Sequence, residues 1–244
     1  MDSGLYTSCS GLVARMRALE VAAQDLANVN TNAYRGQRLS FQTLLGETYP
    51  VQAIASRAIN QQGVVGPTSL DASPGQMQRT GEPFDLAIEG SAFFVVQGSN
   101  GPEYTRNGNF HASPDGYLVT DTGGRVLGDN NSPVRVIGGA MSISGDGTIS
   151  VNGAVSGKLR LVQFDDASQL THAGGANFIA PLTAARPAQN SRVRQGMLEG
   201  SNVNGISAAV GLIALQRHAE MLQRAMSVFH SEFNRSAVED LPRI

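Results

Sequence analysis

A chain of 244 residues has room for one large or two small domains and a sizeable core, which excludes a single tiny domain. Charged residues make up 16% and the formal net charge is −2, with no cluster of basic residues, so a nucleic-acid backbone finds no electrostatic footprint. The single cysteine, Cys9, excludes an intrachain disulfide and a cysteine-built metal cluster.

The first predicted element is a helix. Leu5, Cys9, Leu12, Met16, Leu19, Ala23 and Leu26 recur in alternating steps of four and three, the spacing of a heptad seam. The opening Met-Asp-Ser-Gly-Leu-Tyr lacks the basic head and apolar run of a secretory signal, and no apolar stretch of about 18 residues occurs. Export without a cleaved signal, and no membrane insertion, is the expectation. Residues 31–80 follow as a connector; from residue 46 they are rich in Gln, Gly, Ser, Thr and Pro without steady periodicity and read as extended or irregular chain.

Over 81–180 the period changes to two, and the pattern predicts an all-β domain. Ala92–Val96, Tyr117–Thr120, Val134–Ile137 and Lys158–Val162 read as strands. Met141–Ser144 and Thr148–Val151 flank Gly145-Asp146-Gly147 as a hairpin, and further turns are expected at Asn107-Gly108, Asp115-Gly116 and Asn152-Gly153. Residues 181–205 are a second connector. In the last segment, 206–244, the heptad spacing returns in Leu212, Leu215, Ala219, Leu222, Met226, Phe229 and Phe233. The predicted fold is thus mixed α and β: long N- and C-terminal helices packing as a coiled coil around an all-β central domain. An isolated helix of such length is marginal in water, so each stripe needs a partner: the other helix, the middle domain or another chain.

No catalytic signature emerges. His111, His172, His218 and His230 lie far apart and outside zinc-binding spacings, and read as surface or interface residues. The glycine pairs at 123, 138 and 174 lack the spacing of a phosphate loop. Asp165-Asp166, Asp115 and Asp146 lack the alternating oxygen donors of a calcium loop and read as turn residues. Neither metal nor cofactor is expected, and no enzymatic activity.

Three ordered motifs carry a resemblance. Leu26-Ala27-Asn28-Val29-Asn30-Thr31-Asn32-Ala33-Tyr34-Arg35 resembles the Leu-Ala-Asn-x-x-Thr-x-Gly-(Tyr/Phe)-(Lys/Arg) signature of flagellar rod and hook proteins, with Ala33 where that family usually has Gly. Thr80-Gly81-Glu82-Pro83-Phe84-Asp85-Leu86-Ala87-Ile88-Glu89-Gly90, followed by Phe93–Val96 and Tyr104-Thr105-Arg106-Asn107-Gly108-Asn109-Phe110, is similar to that family's entry into its β-domain. Gln195-Gly196-Met197-Leu198-Glu199-Gly200-Ser201-Asn202-Val203 resembles the segment before its C-terminal helix. The family-motif residues carried over are Ala27, Asn28, Thr31, Tyr34, Asp85, Gly90, Ser201, Asn202 and Val203.

The resemblance implies a structural subunit of the basal-body rod, most similar to proximal-rod members ahead of distal-rod ones. It further implies export through the flagellar type III apparatus, a site in the periplasm-spanning rod, and partners that are copies of the chain and other rod proteins. The fourteen seam residues from Leu5 to Leu26 and from Leu212 to Phe233 would form the inner assembly interface. Head-to-tail packing that does not close on itself then builds a helical tube able to transmit torque for motility. Two rival readings are a wall-cutting hydrolase carried on a rod protein and a β-rich adhesin trimerised by its helices. The first needs a domain the length does not allow, and the second leaves the three motifs unexplained.

Overall fold

A computed structural model describes residues 2–43, 63–98 and 101–239. Helix α1 spans Asp2–Ala27 and is followed by β1 (Gln37–Thr43), β2 (Gly63–Leu70), β3 (Met77–Arg79), β4 (Leu86–Glu89), β5 (Phe93–Gly98) and β6 (Gly101–Thr105). Short strands continue with β7 (Phe110–Ala112), β8 (Leu118–Thr120), β9 (Arg125–Val126), β10 (Met141–Ile143), β11 (Thr148–Val151), β12 (Ala154–Lys158) and β13 (Leu161–Gln163). The last are β14 (Thr171–Gly174), β15 (Asn177–Ile179), β16 (Arg186–Pro187), β17 (Arg192–Gln195) and β18 (Met197–Glu199), before helix α2 (Gly205–Glu239). Part of the predicted connector, residues 44–62, lies outside the described residues.

Two compact units emerge. One gathers 1–26, 37–69 and 205–244, and the other gathers Ala27–Gly36 and Leu70–Asn204. In the second unit the main sheet runs β14-β15-β6-β5-β9-β8-β7, with β13 joined to β5 and β16 joined to β13. β5 explains the apolar run read from the sequence: Phe94 and Val96 enter one buried cluster with Leu86, Ile88, Leu118, Ile149 and Leu159. Phe93 and Val95 point the other way, into a second cluster with Tyr104, Val162 and Phe178. A strand covered on both faces needs no polar alternation, so its sequence is continuous hydrophobe.

The expected hairpin β10–β11 forms, with Met141 opposite Val151 and Ile143 opposite Ile149. At residues 134–137 alternation is present but no continuous strand: Val134 and Val136 are buried, and Arg135 forms only an isolated bridge to Tyr117. Near Asn107-Gly108 the chain passes so close to β4 that a Cβ on Gly108 would meet the Leu86 carbonyl oxygen at 1.6 Å, which restricts that position to glycine. Strands from the far end of the sequence close the unit: β17 pairs with β4, and β18 with β3.

The expected coiled coil around an all-β domain is not what forms. Among the described residues the chain is predominantly β, with eighteen strands against two helices, and no shared seam joins α1 to α2. Burial on α1 falls on Ala14, Ala18 and Val21, whereas Met16 and Ala23, two of the expected seam positions, are exposed. The physical reason is that apolar side chains stand on more than one face of each helix. Val13 on α1, and Ile206, Val210, Ile213, Met221 and Val228 on α2, lie off the predicted stripes. On α1 the covered face thus lies off the predicted stripe, whereas on α2 the stripe positions Leu212, Leu215, Ala219, Leu222 and Met226 are the covered ones.

Candidate functional site

A charged side chain is rarely buried completely unless it is paired, so the second unit draws attention to Arg35, Arg106 and Glu199, each 3% exposed or less. Each arrives from a different motif. Arg35 ends the polar turn after α1, Arg106 follows β6, and Glu199 is the last residue of β18. Glu199 Oε1 accepts from Arg35 Nη2 at 2.6 Å and from the Gly75 amide at 2.8 Å. Its Oε2 accepts from Arg106 Nε at 2.7 Å.

Arg106 uses four of its five N–H groups. Its Nη1 donates to the carbonyls of Gly90 (2.8 Å) and Ala92 (2.7 Å), and its Nη2 to that of Ile88 (2.9 Å). Its guanidinium also lies 5.7 Å from the centre of the Phe93 ring. Arg35 donates from Nη1 to the Ser73 carbonyl. Burial pushes the Arg35 guanidinium below its ordinary value, Glu199 pulls it back up, and Arg106 pushes it further down. Two cations thus share one carboxylate away from water. Removing that carboxylate would leave both uncompensated.

Around this node the backbone of the first motif is held by the third. The Ala33 amide donates to the Glu199 carbonyl at 2.7 Å, and the Gly36 amide to Asn202 Oδ1 at 2.8 Å. Asn202 Nδ2 in turn donates to the carbonyls of Asp71 (3.0 Å) and Ser73 (3.1 Å). Ala33 has φ +56°, so the left-handed turn is made although this chain has Ala where the family usually has Gly. Tyr34 is buried, and its ring lies 6.2 Å from that of His172, which sits 4.7 Å from Phe178. This network places His172 in a half-buried aromatic stack rather than on the surface.

The other motif residues have local tasks. Thr31 donates its amide to the Asn28 carbonyl (3.0 Å) and its hydroxyl to Asn28 Oδ1 (3.2 Å), closing the polar turn. Asp85 bridges to Asn109 and accepts the Gly196 amide. Gly90, at φ +120°, lies where a Cβ would meet the Ser191 hydroxyl. Ser201 Oγ accepts the Val203 amide at 3.1 Å, and Ala27 is exposed. Of the predicted interface residues, Leu12, Leu19, Leu26, Leu212, Leu215, Leu222 and Met226 are half-buried and Ala219 is buried. The side chains of Leu5, Cys9, Phe229 and Phe233 lie outside the described residues. Arg35, Arg106 and Glu199 stand one in each of the three motifs, and no spacing within a motif marks them as partners.

Comparison with known proteins follows the same parts of the chain. Residues 87–151 match the family described as flagellar hook protein FlgE/F/G D1 domain, and residues 194–232 the flagellar basal body rod FlgEFG protein C-terminal. The flagellar basal-body rod protein FlgF of Caulobacter vibrioides is 32% identical, over 100% of both chains. The chain belongs to the flagellar basal-body rod protein family. It is accordingly a structural subunit of the basal-body rod. Rod protein FlgF of Salmonella typhimurium is 31% identical over 93% of this chain and 94% of its own. Rod protein FlgG of Buchnera aphidicola is also 31% identical, over 93% of this chain and 95% of its own. The two stretches that match rod-family descriptions contain Arg106 in one and Glu199 and Asn202 in the other.

Proposed function

We propose that this rod subunit assembles with copies of itself and with other rod proteins through α1 and α2, in the proximal, periplasm-spanning part of the rod, and has no catalytic task. Export by the flagellar type III apparatus without a cleaved signal, helical assembly and torque transmission for motility complete the reading. The observation that carries it is the large apolar surface the helices leave uncovered in one chain: Ile206 is 80% exposed, Val13 64%, Val210 63% and Val228 58%. Side chains of this size each contribute roughly 1.5–3 kcal/mol on full burial, so neighbouring chains that cover them supply a large assembly energy. The interface would include Leu12, Leu19, Leu212, Leu215, Leu222 and Met226 of the expected stripes together with these off-stripe residues.

The test is incorporation into purified basal bodies. Ile213→Asp and Leu222→Asp should abolish it while the strand-rich unit keeps its unfolding transition, because a carboxylate in an apolar interface must be desolvated or must open the packing. Normal incorporation of both variants would sink the proposal.

A further inference from the structure

We infer that Arg35 is a positioning residue that fastens the chain at the foot of α1 to a receptor which the strand-rich unit completes without it. Arg106 and Glu199 already form a buried one-to-one pair, and three further N–H groups of Arg106 are taken up by the carbonyls of Ile88, Gly90 and Ala92. Arg35 is the second cation on the same carboxylate. Taking away Arg106 would strip those three carbonyls, leave Glu199 with one cation and unsettle the strands around β4 and β5. Taking away Arg35 would leave a neutral pair and release one further carbonyl, that of Ser73.

The segment that Arg35 belongs to is attached by a short series of bonds and by the buried side chains of Ala33 and Tyr34. The amides of Ala33 and Gly36 donate to Glu199 and Asn202, the Asn202 amide donates to the Tyr34 carbonyl at 3.2 Å, and the Asp71 amide to that of Gly36 at 2.9 Å. Both receptor residues stand just before the start of α2 at Gly205. Residues 33–36 belong to no strand of any sheet, so the segment can leave and return while the sheets stay intact, and Arg35 sets how often it does. That this release serves assembly, by leaving α1 free until a neighbour meets it, rests on the rod reading. The attachment itself does not.

Amide hydrogen exchange on the full-length chain tests it. In Arg35→Gln the amides of Ala33 and Gly36 should exchange about tenfold faster or more, while those of Leu86 and Leu127, bonded to Gly108 and Val95, keep their rates. Arg35→Lys, which keeps the charge but only a single-point contact, should fall between. Arg106→Gln should accelerate both groups of amides. Acceleration of Leu86 and Leu127 in Arg35→Gln, or failure of that variant to fold, would make Arg35 an integral part of the core and overturn the inference. Unchanged exchange at Ala33 and Gly36 would overturn it equally. Incorporation of Arg35→Gln into basal bodies is read separately: a reduced yield supports the link to assembly, and a normal yield with faster exchange overturns that link while the attachment stands.

Discussion

Ala33 is the position where residue chemistry and backbone pull in opposite directions. Its φ of +56° suits glycine, yet its methyl group is completely buried. Glycine would relieve roughly 1 kcal/mol of left-handed strain but give up about 0.8 kcal/mol of methyl burial and gain freedom in the unfolded chain. The opposing effects nearly cancel, so Ala33→Gly should leave urea stability within about 0.5 kcal/mol of the parent. Ala33→Val has no such compensation, since a β-branched side chain resists this conformation, and a loss of roughly 1–3 kcal/mol is expected. Equal losses for the two variants would show that the methyl contact, not the backbone, governs the site. The sequence pattern of the first motif pointed to this turn through its asparagines, but which residue took the positive φ depended on the amide of Ala33 finding the carbonyl of Glu199, 166 positions along the chain.

Among the elements, what was legible was what is local. The hairpin around Gly145-Asp146-Gly147 needs only its own residues: Gly147 has φ +86°, and Asp146 accepts from the Thr148 hydroxyl at 2.8 Å and from its amide at 3.2 Å. The Thr148 hydroxyl, with its amide second, holds the Asp146 carboxyl below the usual carboxylate range. A depressed folded value means that the turn gains stability above the ordinary carboxylate range and loses it as the pH falls through the lower value. In an NMR titration Thr148→Val should therefore move the Asp146 midpoint up toward the ordinary value; an unmoved midpoint would show that the hydroxyl does not hold it. What was not legible is what depends on distant partners. Arg192–Gln195 and Met197–Glu199 read as connector because neither has a clean apolar alternation, and they become β17 and β18 only by pairing with β4 and β3. The helices differ: on α2 the stripe from Leu212 to Met226 is the covered face, whereas on α1 apolar residues are spread too widely for their spacing to select the face that Ala14, Ala18 and Val21 bury.

At the scale of the whole molecule, the strand-rich unit is closed by its own last strands. Glu89 and Arg194 meet across 105 residues, and Arg35 and Glu199 across 164. Pairings of such sequence separation form slowly, because the intervening loop must be closed before they contribute. The consequence concerns order in time. A chain delivered with its N-terminus leading presents α1 and the Arg35 segment to its surroundings well before Glu199 and Asn202 arrive, so the earliest part to appear is among the last to be secured. Chains truncated just before Arg192 should stay sensitive to protease across β3 and β4, and chains ending just beyond Asn204 should become resistant there in one cooperative step. Resistance already present in the shorter chain would mean that the leading half folds on its own; its absence makes the final strands the timer that decides when the front of the molecule stops being an open thread.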